Sequence, residues 1–194
     1  MNNKFLVVLI SILYFAVFPF SEACADGKPL SQGTKLPKMS FKDTVSSETM
    51  AYLGLSRKKN FSSDDMRGSL FIVEVFSTYC TSCPRNIPIL NHIYDAIEKD
   101  AGSKGKIKII GIAIGNTGRE VESYKTEYKV LFPVLTDYDF AVHDALGKPR
   151  VPYTIYVQKT AKGKIVVDIH QGVLDSAETV LKKVRSLNYL GVHK

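Results

Sequence analysis

Two kinds of apolar run alternate along this chain, and their periods predict different elements. Leu70-Phe-Ile-Val-Glu-Val-Phe76 and Ile107-Lys-Ile-Ile-Gly-Ile-Ala-Ile114 are near-continuous and rich in β-favouring residues, as expected of strands buried on both faces. Phe132 to Leu135 predicts a brief strand. Tyr153 to Val157 and Lys164 to Ile169 predict two more, joined as a hairpin by a turn around Lys162-Gly163. Between them the period lengthens. Ile87, Leu90, Ile93, Tyr94 and Ile97 stand at helical spacing, in a helix ending near Asp100. Arg119 to Tyr128 predicts a charged surface helix, and Phe140 to Leu146 a short one closed by Gly147. Ala177, Val180, Leu181, Val184, Leu187 and Leu190 make a last amphipathic helix. Strands alternating with helices imply an α/β fold. Its sheet is expected to be central, mixed and mostly parallel, with helices on both faces and a C-terminal β-hairpin plus helix.

The N-terminal stretch follows a different logic. Met1 to Lys4 carries one positive charge, Phe5 to Phe18 is apolar apart from Ser11 and Tyr14, and Pro19 ends the run. Ala23-Cys24-Ala25 then offers a small-residue cleavage site, so residues 1–25 read as a secretory signal peptide. The apolar run is shorter than the roughly 20 residues of a comfortable membrane-spanning helix. An uncleaved membrane anchor is the competing reading, and a lipoprotein the third. Ser21 and Glu22 stand where a lipoprotein signal would place a leucine and a small residue before Cys24. Residues 26–194 then form one domain. It opens with a Gly-, Pro- and Ser-rich tether from Asp26 to Met39, and Ser62 and Asp65 stand at capping-box spacing. Met39 to Tyr52 gives no clear pattern.

Composition narrows the function classes. With 194 residues, 45% hydrophobic and 23% charged, the chain is ordinary globular material for one domain. The net charge of +7 is spread over short clusters such as Arg57-Lys58-Lys59, which read as solvated surface, with attraction to acidic protein partners or an anionic membrane surface as the alternative. No zinc-finger spacing or base-stacking aromatic motif accompanies it, so no nucleic-acid partner is expected. Of three cysteines, only Cys80 and Cys83 remain after residue 25, in an oxidising compartment. A pair so close in sequence closes too small a loop to stabilise the fold much, so its chemistry explains it better. At the junction of a strand and a helix, Cys80 is the expected thiolate nucleophile and Cys83 the resolving thiol. The alternative of half a zinc site lacks two ligands, since His92, His143, His170 and His193 form no motif among themselves. No metal and no cofactor beyond the Cys80–Cys83 disulfide is expected.

The run from Val73 to Cys83, with Pro88 following and Val151-Pro152-Tyr153-Thr154 just before the hairpin, resembles the thioredoxin superfamily over about Gly33 to Leu190. The Gly33-x-x-Leu-Pro37 entry and the strand–helix insert from Ile107 to Tyr128 look most like exported TlpA/ResA-type, redoxin-type domains. The resemblance implies a thioredoxin-like fold and thiol–disulfide exchange with exported protein thiols or disulfides. It implies a cis Pro152 that holds the Val151 backbone near the sulfurs as an edge for substrate. It also implies Glu74 as the buried acid that takes and returns the Cys83 proton. A carboxylate solvated at the sheet edge is the alternative for Glu74. Tyr79, in place of the usual Trp, either packs in the core or shapes the substrate surface beside the disulfide. Pro88 matches the proline that kinks the active-site helix. The departures are Asn86, where ResA-like proteins commonly carry Glu, the Thr81-Ser82 dipeptide, and Pro84, which removes one helix-start N–H.

The expected function is therefore a thiol–disulfide oxidoreductase working in the reducing direction on exported proteins such as apocytochromes, in the periplasm or on the outer face of the cytoplasmic membrane, monomeric and served by a membrane electron donor or acceptor. A DsbA-like oxidant is the alternative direction. A peroxiredoxin-like peroxidase is disfavoured because Val73 stands where its proline belongs, although Ser77 is in place. A Sco-like copper-delivery protein is disfavoured because its cysteine spacer is longer by one residue.

Overall fold

The computed structural model describes residues 30–192; the expected signal peptide, with Cys24, lies outside the described residues. In chain order the elements are β1 (Ser40–Phe41), α1 (Ser47–Leu53), β2 (Phe61–Ser62), β3 (Leu70–Phe76), α2 (Ile87–Lys99), β4 (Ile107–Ile114), α3 (Gly118–Tyr128), β5 (Val134–Asp137), α4 (Ala141–Ala145), β6 (Tyr153–Thr160), β7 (Gly163–Gln171) and α5 (Ala177–Val192). Short 3-10 turns occupy Ser63–Asp65 and Cys83–Asn86.

The central sheet has five strands in the order β5-β4-β3-β6-β7, and β1 and β2 pair separately. β3 runs parallel to β4 and β4 to β5, whereas β6 is antiparallel to both β3 and β7. The mixed α/β architecture expected from the alternating periods is therefore present, with β3 at its centre. Alternation along β3 divides the core. Phe71, Val73 and Val75 join Ile110, Ile112, Ile155 and Val157 on one face, under Leu53 of α1 and Val142 of α4. Leu70, Ile72 and Phe76 join Ile109 on the other, under Leu90 and Ile93 of α2, Tyr124 of α3 and Val180 of α5. Glu74 shares the phase of this second set, so strand geometry aims its carboxyl at the α2 side.

Besides β6, which runs three residues past Val157, and β7, which runs from Gly163 to Gln171, three segments differ from the sequence reading. β5 starts two residues after Phe132, because Pro133 has no N–H to give a ladder, and its carbonyl only accepts from Gly111. Phe132 is a buried core side chain instead. Within the patternless stretch, α1 is too short for a readable period and is set by its ends. The Ser46 hydroxyl accepts the Thr49 N–H, and Gly54 closes the helix at φ 65°. The capping box at Ser62 and Asp65 is present, on a single 3-10 turn.

The active-site helix is the third. The sequence puts both cysteines at the junction of a strand and one helix; in the structure Cys80 sits in a bend, Cys83 opens a 3-10 turn, and α2 proper begins only at Ile87. Pro88 falls within the first two residues of α2, where its missing N–H leaves no bond unmade. Pro84 holds the equivalent place in the 3-10 turn. Two prolines thus split the segment into two short-range pieces.

Candidate active site

β3 delivers the site. Past Phe76 the chain turns through Ser77–Tyr79 to Cys80, which is disulfide-bonded to Cys83 with Cα atoms 5.5 Å apart. Cys80 is half-buried, while Cys83 is 1% exposed, so an incoming thiol reaches the Cys80 sulfur. The Cys83 N–H donates to Cys80 Sγ at 3.2 Å, and Ser82 Oγ lies 3.5 Å from the same sulfur. These donors would favour a thiolate at Cys80 once the disulfide opens.

The 3-10 turn that starts at Cys83 ends in a buried polar cluster. In a 3-10 turn, side chains three apart eclipse, so Cys83 and Asn86 face the same way. Asn86 is fully buried, and its Nδ2 donates to Glu74 Oε1 at 2.8 Å. The Leu174 N–H donates to Asn86 Oδ1 at 2.8 Å, which fixes the orientation of the amide. Thr154, level with Glu74 in the β3–β6 register, donates its hydroxyl to Glu74 Oε2 at 2.6 Å. Glu74 is 1% exposed on the central strand, so the solvated-edge alternative is excluded. Burial pushes its pKa up from 4.5 to about 7, and the Thr154 and Asn86 donors restrain the rise. A carboxyl at that value exchanges protons readily near neutrality.

The opposite wall comes from the loop before β6. The Val151–Pro152 peptide is cis, and the Val151 carbonyl oxygen lies 3.8 Å from Cys80 Sγ. Gln171 Nε2 donates to the carbonyls of Arg150 at 2.6 Å and Pro152 at 3.1 Å, and the Gly172 N–H also donates to Pro152. Val151 and Pro152 therefore do lie beside the sulfurs, held from β7. Tyr79 is 71% exposed and not a core aromatic. Its hydroxyl donates to Glu120 in the first turn of α3.

Asn86 entered the sequence reading only as a departure, while Thr154, Gln171 and Asn116 were not singled out. Asn116, fully buried after β4, accepts the Thr78 N–H at 2.9 Å and donates Nδ2 to Thr78 Oγ1 at 2.6 Å. It clamps the segment that carries Cys80. Its only signal in sequence is a polar residue closing an apolar strand. Asn116→Ala should cost about 2 kcal/mol, because it leaves the Thr78 backbone donor unpaired. Urea denaturation checks this, and a loss under 0.5 kcal/mol, on the same scale, would deny the clamp.

A disulfide at the head of a helix-bearing segment, a cis-proline loop against it and a buried acid behind it, all on a mixed five-stranded sheet, define a thioredoxin-like fold and site. The model of the AhpC/TSA family matches residues 33–174, and the chain belongs to that family. It is 25% identical over 161 residues to the thiol-disulfide oxidoreductase ResA of Bacillus subtilis, covering 83% of this chain and 78% of that one. ResA of Geobacillus thermodenitrificans is 25% identical over 103 residues, covering 53% of this chain and 56% of the relative's length. Among solved structures, the thioredoxin domain of a thiol-disulfide oxidoreductase from Bacteroides vulgatus superposes with a TM-score of 0.57 at 23% identity, over 80% of this chain and 99% of that one.

Proposed function

We propose that this chain is an exported thiol–disulfide oxidoreductase that reduces protein disulfides through Cys80 and Cys83. The observation that carries the reading is one open and one shielded sulfur, with a buried acid hydrogen-bonded to Asn86 of the turn that Cys83 starts. In the reducing direction the Cys80 thiolate attacks a substrate disulfide, forming a mixed disulfide and expelling one substrate thiolate. Cys83 gives up its proton to ionised Glu74, and the resulting thiolate attacks Cys80 Sγ. The Cys80–Cys83 bond forms, the Cys80–substrate bond breaks, and the second substrate thiolate leaves, taking up the proton that Glu74 gives back. Two electrons pass from the protein to the substrate. The similarity to proteins named thiol-disulfide oxidoreductase supports the exchange chemistry, the TlpA/ResA-type resemblance of the sequence supports the reducing direction, and the pattern of residues 1–25 supports export to the periplasm or the outer face of the cytoplasmic membrane. A membrane electron donor would then regenerate the dithiol.

The reduction potential tests the direction. Equilibration in glutathione buffers with thiol trapping should give a value near the thioredoxin range, about −270 mV. A value near about −120 mV would make the protein a disulfide donor and overturn the proposed direction.

A further inference from the structure

Among the described residues four large hydrophobic side chains are exposed, and three of them, Tyr79, Tyr138 and Phe140, gather at one end of the sheet. Because β3, β4 and β5 are parallel, the loops leaving them share the edge that carries the disulfide. Tyr79 follows β3 and precedes Cys80, Gly115 follows β4, and Tyr138 and Phe140 follow β5. Phe140 is 47% exposed yet held at φ 58°, ψ 13°, a left-handed conformation unfavourable for a bulky residue. Its ring lies over Gly115, where any Cβ would collide with it. The fold thus keeps an aromatic ring in a strained place without burying it, a pattern that belongs to function more than to packing. The exposed guanidinium groups of Arg119 and Arg150 make no ion pair among the described residues, whereas the carboxylates of the strip are engaged, Glu120 by Tyr79 and Thr117, and Asp139 by Lys42.

From these we infer that the strip Tyr79–Phe140–Tyr138, continuous with the disulfide and flanked by Arg119 and Arg150, docks an extended protein segment bearing aromatic and acidic residues around its cysteine. This rests on the redox reading above and adds the class of substrate. The mixed disulfide is common to both directions of electron flow, so the strip serves either. With neighbouring strands about 4.8 Å apart, the path from β3 to β5 spans about 10 Å, the reach of three extended residues. Aromatic side chains a few positions from the substrate cysteine would therefore meet the strip.

The test uses the oxidised protein and short single-cysteine peptides. A peptide thiolate attacks Cys80 Sγ, the Cys80–Cys83 bond breaks, and Cys83 leaves as a thiolate that takes up a proton. Acid quenching and mass spectrometry follow the mixed disulfide, with rates expressed per thiolate. A peptide with phenylalanine and glutamate around the cysteine should react about tenfold faster than its serine-for-phenylalanine counterpart. Tyr138→Ser combined with Phe140→Gly should erase that preference while leaving reduction by dithiothreitol unchanged. Glycine accepts the positive φ at 140, so the fold is kept, and an unshifted thermal midpoint verifies it. Equal rates for the two peptides, or a preference that survives in the variant, would overturn the assignment. Lysines in place of the glutamates should slow the reaction, and an equally fast lysine peptide removes the acidic half of it. Failure of dithiothreitol to reduce the wild-type disulfide would instead remove the redox reading itself, and this proposal with it.

Discussion

Cys83→Ser should accumulate a stable mixed disulfide with any protein substrate, whereas Cys80→Ser should accumulate none. The asymmetry follows from burial. Cys80 is half-open to solvent beside the Val151 carbonyl, so alone it still attacks and is still attacked. Cys83 is 1% exposed beneath the bend, and without its partner no substrate sulfur approaches it. Both variants should lose steady-state thiol–disulfide exchange turnover by on the order of a thousandfold or more, since neither completes the two-step exchange. They differ in what remains. Non-reducing electrophoresis after acid trapping should show adducts for Cys83→Ser alone. Adducts on Cys80→Ser, or turnover in it above a tenth of wild type, would mean that the attacking sulfur has been misassigned. Stability should change little in either variant, because a disulfide that closes so short a loop removes little freedom from the unfolded chain.

How much of this was legible in the sequence depends on the range of the interactions involved. β3 and β4 were readable to the residue, because burial on both faces leaves a run of apolar residues with sharp ends. The cysteine pair was readable because its spacing alone restricts its chemistry. Glu74 stood out because a single acid interrupts a strand that is otherwise apolar. Its partners did not stand out. Asn86 meets Glu74 only because the 3-10 turn folds back over β3, and Thr154 only through the antiparallel β3–β6 register. Both are facts of tertiary geometry, absent from any local window. The hold of Gln171 on Arg150 and Pro152 is of the same kind. β5 was misplaced by two residues for a local reason: apolar Phe132 and Pro133 imitate a strand start that the missing proline N–H forbids. Phe140 reads in sequence as the start of a short helix, and only its backbone angle and its seat on Gly115 set it apart.

Glu74→Gln should leave the oxidised protein more stable above pH 7 and slower in exchange, and the two effects have one origin. In the folded protein the carboxyl titrates at about 7, while in the unfolded chain it titrates near its ordinary 4.5. Below pH 4.5 both states hold the proton and Glu74 is neutral in each. Between 4.5 and 7 the unfolded chain has released it and the folded protein still binds it, so stability falls as pH rises. Above 7 the folded protein carries a buried carboxylate, and the accumulated loss is about 3 kcal/mol. Glutamine does not titrate. Its oxygen accepts from Asn86 Nδ2, and its amide donates to Thr154 Oγ1, which turns from donor to acceptor, so both contacts are kept in the same space. Urea titrations should therefore show wild type and variant alike at pH 4, and the variant ahead by about 3 kcal/mol at pH 8. The same substitution removes the group that takes the Cys83 proton. Release of the mixed disulfide, followed by stopped flow, should slow by about a hundredfold at pH 7 and lose its inflection near that pH. If the stability slope persists in the variant, the titrating group lies elsewhere. If the slope vanishes and the rate does not change, Glu74 is a buried acid without a part in the chemistry, and the proton of Cys83 leaves by another route.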